Sequence, residues 1–147
     1  FDGVMTDNRA TLMQDGTESV IVNRGDGLGV KKIKSMRIPQ LILSTESNPV
    51  VKARAEKLQI DVIHNCEDKY STLKQYCEKE GFKLSKTVYV GNDENDLEIM
   101  KNVGISVAPV DAYQCILEVA KIITIAKGGH GVVRELSDLI NFERILT

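Results

Sequence analysis

Residues 87–110 read TVYVGNDENDLEIMKNVGISVAPV. Thr87 to Val90 is a short β-branched and aromatic run that empties into an acidic loop at Gly91-Asn92-Asp93. A short helical segment follows and closes at Gly104, and Ile105 to Val110 is apolar again. Strand, polar loop, short helix and strand form the repeating unit of a parallel sheet, and the flanks extend it.

Upstream, IPQLILS (38–44) and DVIHN (61–65) read as strands short enough to be buried. Between them PVVKARAEKLQI (49–60) opens with proline at a first-turn position. EDKYSTLKQYCEKEGF (67–82) predicts a helix ending near Gly81. Earlier still, RGDGLGVKKIKSM (24–36) sets Leu28, Val30, Ile33 and Met36 on one helix side, with a loose, glycine-rich start. Downstream come a helix at DAYQCILEVA (111–120), a strand at KIITIA (121–126), the glycine loop KGGHG (127–131) and a helix at VVRELSDLINF (132–142). Arg9–Met13 and Ser19–Asn23 flank QDGTE, whose Asp15-Gly16 pair signals a hairpin. The expected fold is α/β: one domain over 1–147, a doubly wound parallel sheet covered on both faces, with a β-hairpin insertion.

At 147 residues, 42% hydrophobic and 27% charged, the chain has the composition of a globular domain with a full core. A net charge of −2 points to neither nucleic acid nor a membrane surface. No stretch reaches the length of a membrane span, and no basic-then-apolar signal opens the chain. Cys66, Cys77 and Cys115 are widely spaced and read as free thiols in a reducing cytoplasm.

In doubly wound sheets ligands sit beyond the carboxyl ends of the strands. The loops there carry, in chain order, a carboxylate (Asp2), a hydroxyl (Ser44), a lysine (Lys69) and a carboxylate cluster (Asn92, Asp93, Asn95, Asp96). Taken singly, these are a turn, a cap, a surface charge and a polar turn. Taken together, they suit a phosphate: hydroxyl and backbone donors for its oxygens, an ammonium for its charge, and acidic oxygens for magnesium.

FDGVMTDN, RGDGLGVKKIKSMRIP, LILSTE, VVKARAEKL, EDK, YVGNDENDLEIMKNVGISVAP and KGGHGVVREL together resemble the haloacid dehalogenase superfamily. Within it the chain is similar to the capless 3-deoxy-octulosonate 8-phosphate phosphatases and their nonulosonate 9-phosphate relatives. The superfamily's Asp-x-Asp motif maps its second aspartate onto Asp2 and places the nucleophile just before Phe1. The resemblance implies a Mg2+-dependent phosphatase working through an aspartyl-phosphate. Asp2 would be its acid and base; Gly3, Ser44, Thr45 and Lys69 would hold the phosphate, Ser44 and Lys69 also serving catalysis. Asp2, Asn92 and Asp93 would hold the metal, Asn92 replacing the usual aspartate.

Thr45-Glu46 follows Ser44 where octulosonate enzymes have Gly-Arg, which brings the chain nearer the nonulosonate group. That similarity implies Glu46, Arg54, Lys57 and Arg134 as contacts for a sugar acid phosphate. Arg54 and Lys57 also read as an i,i+3 surface pair, and His130 as a solvated loop residue or a phosphate contact. Capless relatives imply a homotetramer built partly by the hairpin. An alternative is the non-catalytic, tetramer-forming domain of an acylneuraminate cytidylyltransferase. A receiver-like domain fits less well, because of the hairpin and the Gly-Asn-Asp-x-x-Asp loop.

Overall fold

The computed structural model describes residues 1–146, with the side chains of 1–140. After the loop that carries Asp2, the hairpin pairs β1 (Thr11–Leu12) antiparallel with β2 (Glu18–Ser19). Gly16 supplies the positive φ of its turn, +85°. The ladder is shorter than the sequence suggests, because this ribbon has no sheet beneath it and both strands are exposed.

From there strands and helices alternate: α1 (Arg24–Ser35), β3 (Leu41–Leu43), α2 (Val50–Leu58), β4 (Asp61–Ile63) and α3 (Lys69–Glu80). Then follow β5 (Val88–Val90), α4 (Leu97–Asn102), β6 (Ile105–Ala108), α5 (Gln114–Leu117), β7 (Ile122–Ile123) and α6 (Val132–Leu146). The Asn23 side chain caps α1 through the Gly25 amide, and Asp68 caps α3 through the Ser71 amide. Gly81, left-handed at φ 74°, ends α3 where the sequence suggests. The expected helix over 111–120 is realised as the single turn α5.

β3 shows why two layers of helix form. Ile42 packs with Val30, Ile33, Val51, Ala55 and Val133, from α1, α2 and α6. Leu43 packs with Leu73, Cys77, Ile99 and Val103, the α3 and α4 side. Alternation along an apolar strand thus feeds both faces, as a doubly wound sheet requires. Val51, Ala55, Ile99, Val107 and Ile116 are wholly buried, and each larger aliphatic among them contributes about 1.5–3 kcal/mol. α1 and α6 approach closely because residue 29 has no side chain: a Cβ there would lie 2.6 Å from the Val133 carbonyl oxygen. That glycine is a packing requirement rather than the loose start suggested by the sequence.

The parallel sheet is hydrogen-bonded in two parts, β3-β4 and β5-β6-β7. Between them runs an apolar cavity of about 660 Å³. Its walls include Leu41 to Leu43, Val88 to Val90, Val4, Met5 and Phe1.

Candidate active site

A second cavity, about 350 Å³ and polar, opens beyond the carboxyl ends of β3 and β5. Asp2, Ser44, Thr45, Glu46, Lys69, Asn92, Asp93 and Asp96 line it, so the strand-end residues singled out in the sequence share one pocket. Gly3 lies just beneath, against Asn92. Asn8, Arg9 and Glu18 bring the hairpin to its rim.

The Asp2 loop is held by its own backbone. The Phe1 carbonyl accepts from the amides of Val4, Met5 and Thr6, at 3.2, 2.8 and 3.3 Å. The buried Thr6 hydroxyl accepts from the amides of Gly3 and Asn8. Gly3 takes a φ of +70°, and a Cβ there would fall 1.9 Å from Asn92 Nδ2. Burial raises the Asp2 carboxyl above its ordinary range, and Glu46 adds to this against the opposing Lys69. A carboxyl held toward its protonated form is fitted to donate a proton.

Lys69 is the buried cation of the pocket, 9% exposed. Its Nζ donates to Asp96 Oδ1 at 2.7 Å, and the Tyr89 hydroxyl donates to the same oxygen at 2.6 Å. Asp96 Oδ2 accepts from the amides of Asn92 (2.9 Å) and Asp93 (3.4 Å). Burial works against the Asp96 charge, but Lys69, Tyr89 and the loop amide together hold its carboxyl below the ordinary range. With both oxygens so engaged, Asp96 orients Lys69 and the acidic loop and is not a metal donor.

The Ser44 hydroxyl accepts from the Glu46 amide at 3.1 Å, which leaves its proton to donate into the pocket. Glu46 Oε1 accepts from the amides of Ser47 and Asn48, so this carboxylate braces its own loop as well as lining the cavity. Among the described residues no three His, Cys, Asp or Glu side chains form a ready-made metal cluster. The donors that Asp2, Asn92 and Asp93 offer at the cavity are nevertheless all oxygen: the Asp93 carboxylate, the Asn92 carboxamide and, with its carboxyl kept for proton transfer, the Asp2 main-chain carbonyl. Hard oxygen donors of this kind fit Mg2+, with less ligand charge than two aspartates in the loop would give.

Three expected substrate contacts lie elsewhere in the single chain. Arg54 turns inward, its Nη2 donating to the Asn23 carbonyl at 3.0 Å. Lys57 is exposed on α2, so the pair does not present one cationic face. Arg134 pairs with Asp138 one helical turn on, at 3.5 Å. His130 sits outside the cavity and contacts the Gly128 carbonyl through Nδ1 at 2.8 Å. The glycine loop braces the Asp2 loop from behind: the Gly129 amide donates to the Val4 carbonyl, and a Cβ on Gly128 would meet the Gly3 oxygen at 2.3 Å. Sequence reasoning missed Tyr89, whose signal is a lone hydroxyl in an otherwise apolar strand, and the rim residues Asn8, Arg9 and Glu18.

Residues 30–136 match the family described as haloacid dehalogenase-like hydrolase. An N-acylneuraminate cytidylyltransferase A from Danio rerio is 30% identical over 94% of this chain, which spans only 33% of that relative's length. Among solved structures, a chain from Streptomyces avermitilis MA-4680, assigned to the HAD family hydrolases, is 45% identical. It superposes with a TM-score of 0.92 over 94% of this chain and 79% of its own. A 3-deoxy-D-manno-octulosonate 8-phosphate phosphatase from Moraxella catarrhalis, solved with a magnesium ion, a phosphate ion and KDO, is 30% identical with a TM-score of 0.92. That match covers 99% of this chain and 87% of the other. The strand-end pocket and these likenesses agree: the chain belongs to the haloacid dehalogenase-like hydrolases, as a phosphoric monoester hydrolase whose oxygen donors fit Mg2+.

Proposed function

We propose that this hydrolase removes the phosphate from a phosphorylated 2-keto-3-deoxy sugar acid, a nonulosonate 9-phosphate or an octulosonate 8-phosphate. The observation that carries the reading is the convergence of Asp2, Ser44, Lys69, Asn92 and Asp93 on one polar cavity beyond β3 and β5. Its supports are the relatives that act on such a sugar acid and Arg9 at the rim, a cation apart from buried Lys69 that in the single chain pairs with Asp7 at 2.6 Å. Phosphate and carboxylate of one substrate would then meet separate cations.

In this reading the nucleophile is an aspartate immediately before Phe1. The open edges of β3 and β5 and the apolar cavity between them favour this placement. An extended apolar segment leading into Phe1 would pair with both edges and bring that residue to the polar cavity. Its carboxylate attacks phosphorus as the phosphorus–oxygen bond to the sugar breaks, and Asp2 gives its proton to the departing oxygen. Asp2 then takes a proton from the water that attacks the aspartyl-phosphate, which frees inorganic phosphate, restores the nucleophile's carboxylate and returns Asp2 to its protonated form. The Ser44 hydroxyl and the Gly3 and Thr45 backbone donate to the phosphoryl oxygens, and Lys69 offsets their charge. Asp2, Asn92 and Asp93 would hold Mg2+, which when bound neutralises phosphoryl charge.

Assembly is part of the proposal. Leu12, Met13 and Ile21 are 69%, 52% and 78% exposed around the hairpin, an apolar surface suited to a homotetramer interface. Free Cys66, Cys77 and Cys115 suit a reducing cytoplasm. Among the described residues no helix is long and apolar enough to cross a membrane. A second reading, a non-catalytic tetramer-forming domain fused to a cytidylyltransferase, is favoured by the Danio rerio likeness and by Asn92 in the metal loop.

A substrate panel tests the proposal on the full-length protein with Mg2+. Phosphate release should favour nonulosonate 9-phosphate or octulosonate 8-phosphate over hexose 6-phosphates, which lack the carboxylate. Equal turnover of both kinds would contradict the substrate class. A stable tetramer releasing no phosphate from any of them would favour the second reading.

A further inference from the structure

Buried Asp96 is the hub of the pocket, and Tyr89 is the one neighbour that none of the chemistry above uses. Its ring stands on β5 between the apolar cavity and the polar one, lining both. Its hydroxyl lies 2.6 Å from Asp96 Oδ1, the oxygen that also receives Lys69 at 2.7 Å. The opposite carboxylate oxygen takes the Asn92 and Asp93 amides. Asp96 therefore ties three elements together: the strand through Tyr89, the start of α3 through Lys69, and the acidic loop through its backbone.

The residue before the loop enforces this arrangement. A Cβ at Gly91 would meet Asp96 Cβ at 2.6 Å, so glycine lets the strand end press against the carboxylate. Burial and the adjacent Asp96 charge keep the phenol protonated, so it serves as a donor. With Oδ2 held by the two loop amides, a carboxylate that accepted from Lys69 alone at Oδ1 would leave the ammonium a choice of approach to that oxygen. Two converging donors fix both its plane and the line along which it holds the ammonium.

We propose that Tyr89 is a positioning residue: its hydroxyl locks Asp96 in the orientation that aims Lys69 at the phosphate. The inference rests on the phosphatase reading of this pocket. Tyr89 touches no reacting atom, so its effect must pass through Asp96 and Lys69.

The test is a double-mutant cycle on the full-length enzyme with Mg2+, read as kcat and KM for the best substrate and as calorimetric affinity for inorganic phosphate. Tyr89→Phe, which keeps the ring and its packing, should lower kcat/KM about tenfold, the scale of one lost hydrogen bond to a charged group. It should also weaken inorganic phosphate binding. In an Asp96→Asn background, or in Lys69→Met if that variant does not fold, the same change should cost less than about twofold, because the path is already broken. A purely structural role predicts a lower unfolding midpoint with kcat, KM and phosphate affinity unchanged in the folded variant, which overturns the proposal. An equal loss in both backgrounds overturns it too. An inactive wild type that binds no phosphate defeats the phosphatase reading and this inference together, whereas an active wild type indifferent to Tyr89→Phe defeats this inference alone.

Discussion

Gly3 and Asn92, far apart in the chain, share a space that admits no methyl group: a Cβ on Gly3 would sit 1.9 Å from Asn92 Nδ2. The Asp2 loop and the Asn92 loop are thus packed backbone against carboxamide. Gly3 is also left-handed, at φ +70°, so an alanine there is strained twice. Gly3→Ala should cost about 1–3 kcal/mol of stability. It should lower phosphate release more steeply than a surface variant of equal stability. Urea unfolding and turnover on the same preparation check both parts.

Much of this arrangement is legible in the sequence because it follows from strand ends. β3 and β5 are short apolar runs, and the polar residues just after them are Ser44 and Asn92-Asp93, so their meeting follows from parallel topology. Lys69 is legible as the first residue of a capped helix. Tyr89 is not, because periodicity assigns it to packing and reveals nothing of a hydroxyl turned toward Asp96. For Arg54 and Lys57 the limit is related: helical spacing gives neighbours without fixing which side faces the core. Only tertiary packing turns Arg54 onto the Asn23 carbonyl. The strand pairing also exceeds what local pattern carries, since which strands stand side by side is a long-range matter.

The Asp96 carboxyl gives acid stability a defined sign. Burial, the largest single influence, opposes its charge, but Lys69, Tyr89 and the Asn92 amide together outweigh it, and the folded value lies below the ordinary 3.8. Such a group contributes stability that is complete above the unfolded value and is lost as pH falls through the folded one. Wild type minus Asp96→Asn, measured as urea midpoints, should therefore shrink as pH drops below about 3.8. Lys69→Met, which strands the carboxylate, should cost about 3–5 kcal/mol at neutral pH.

Asp2 carries the opposite sign. Burial lifts its folded value above the ordinary 3.8, so folding takes up protons there and stability falls as pH rises through that interval. Asp2→Asn removes this cost. It should raise the thermal midpoint at neutral pH while lowering turnover, the trade expected of a residue kept for chemistry. An Asp2→Asn protein less stable than wild type at neutral pH would oppose this account of its environment.

Packing of α1 on α6 supports the site from beneath. Gly29→Ala would push a methyl group to 2.6 Å from the Val133 carbonyl oxygen. It would also part the α6 start from Asp26, whose Oδ1 accepts from the Val133 and Arg134 amides at 3.0 and 3.1 Å. A loss of about 1–3 kcal/mol is expected. Hydrogen exchange should show its earliest loss of protection at residues 132–134.

The central claim is that Asp2 serves as acid and base in phosphate ester hydrolysis within this pocket. The most direct measurement is phosphate release from sugar acid phosphates by full-length wild type and Asp2→Asn, each with Mg2+ and with a chelator. The account predicts release by the wild type only with Mg2+, and a loss of about 10²–10⁴-fold in Asp2→Asn. Release at equal rates by the two proteins, or none from a folded wild type with Mg2+, would contradict it.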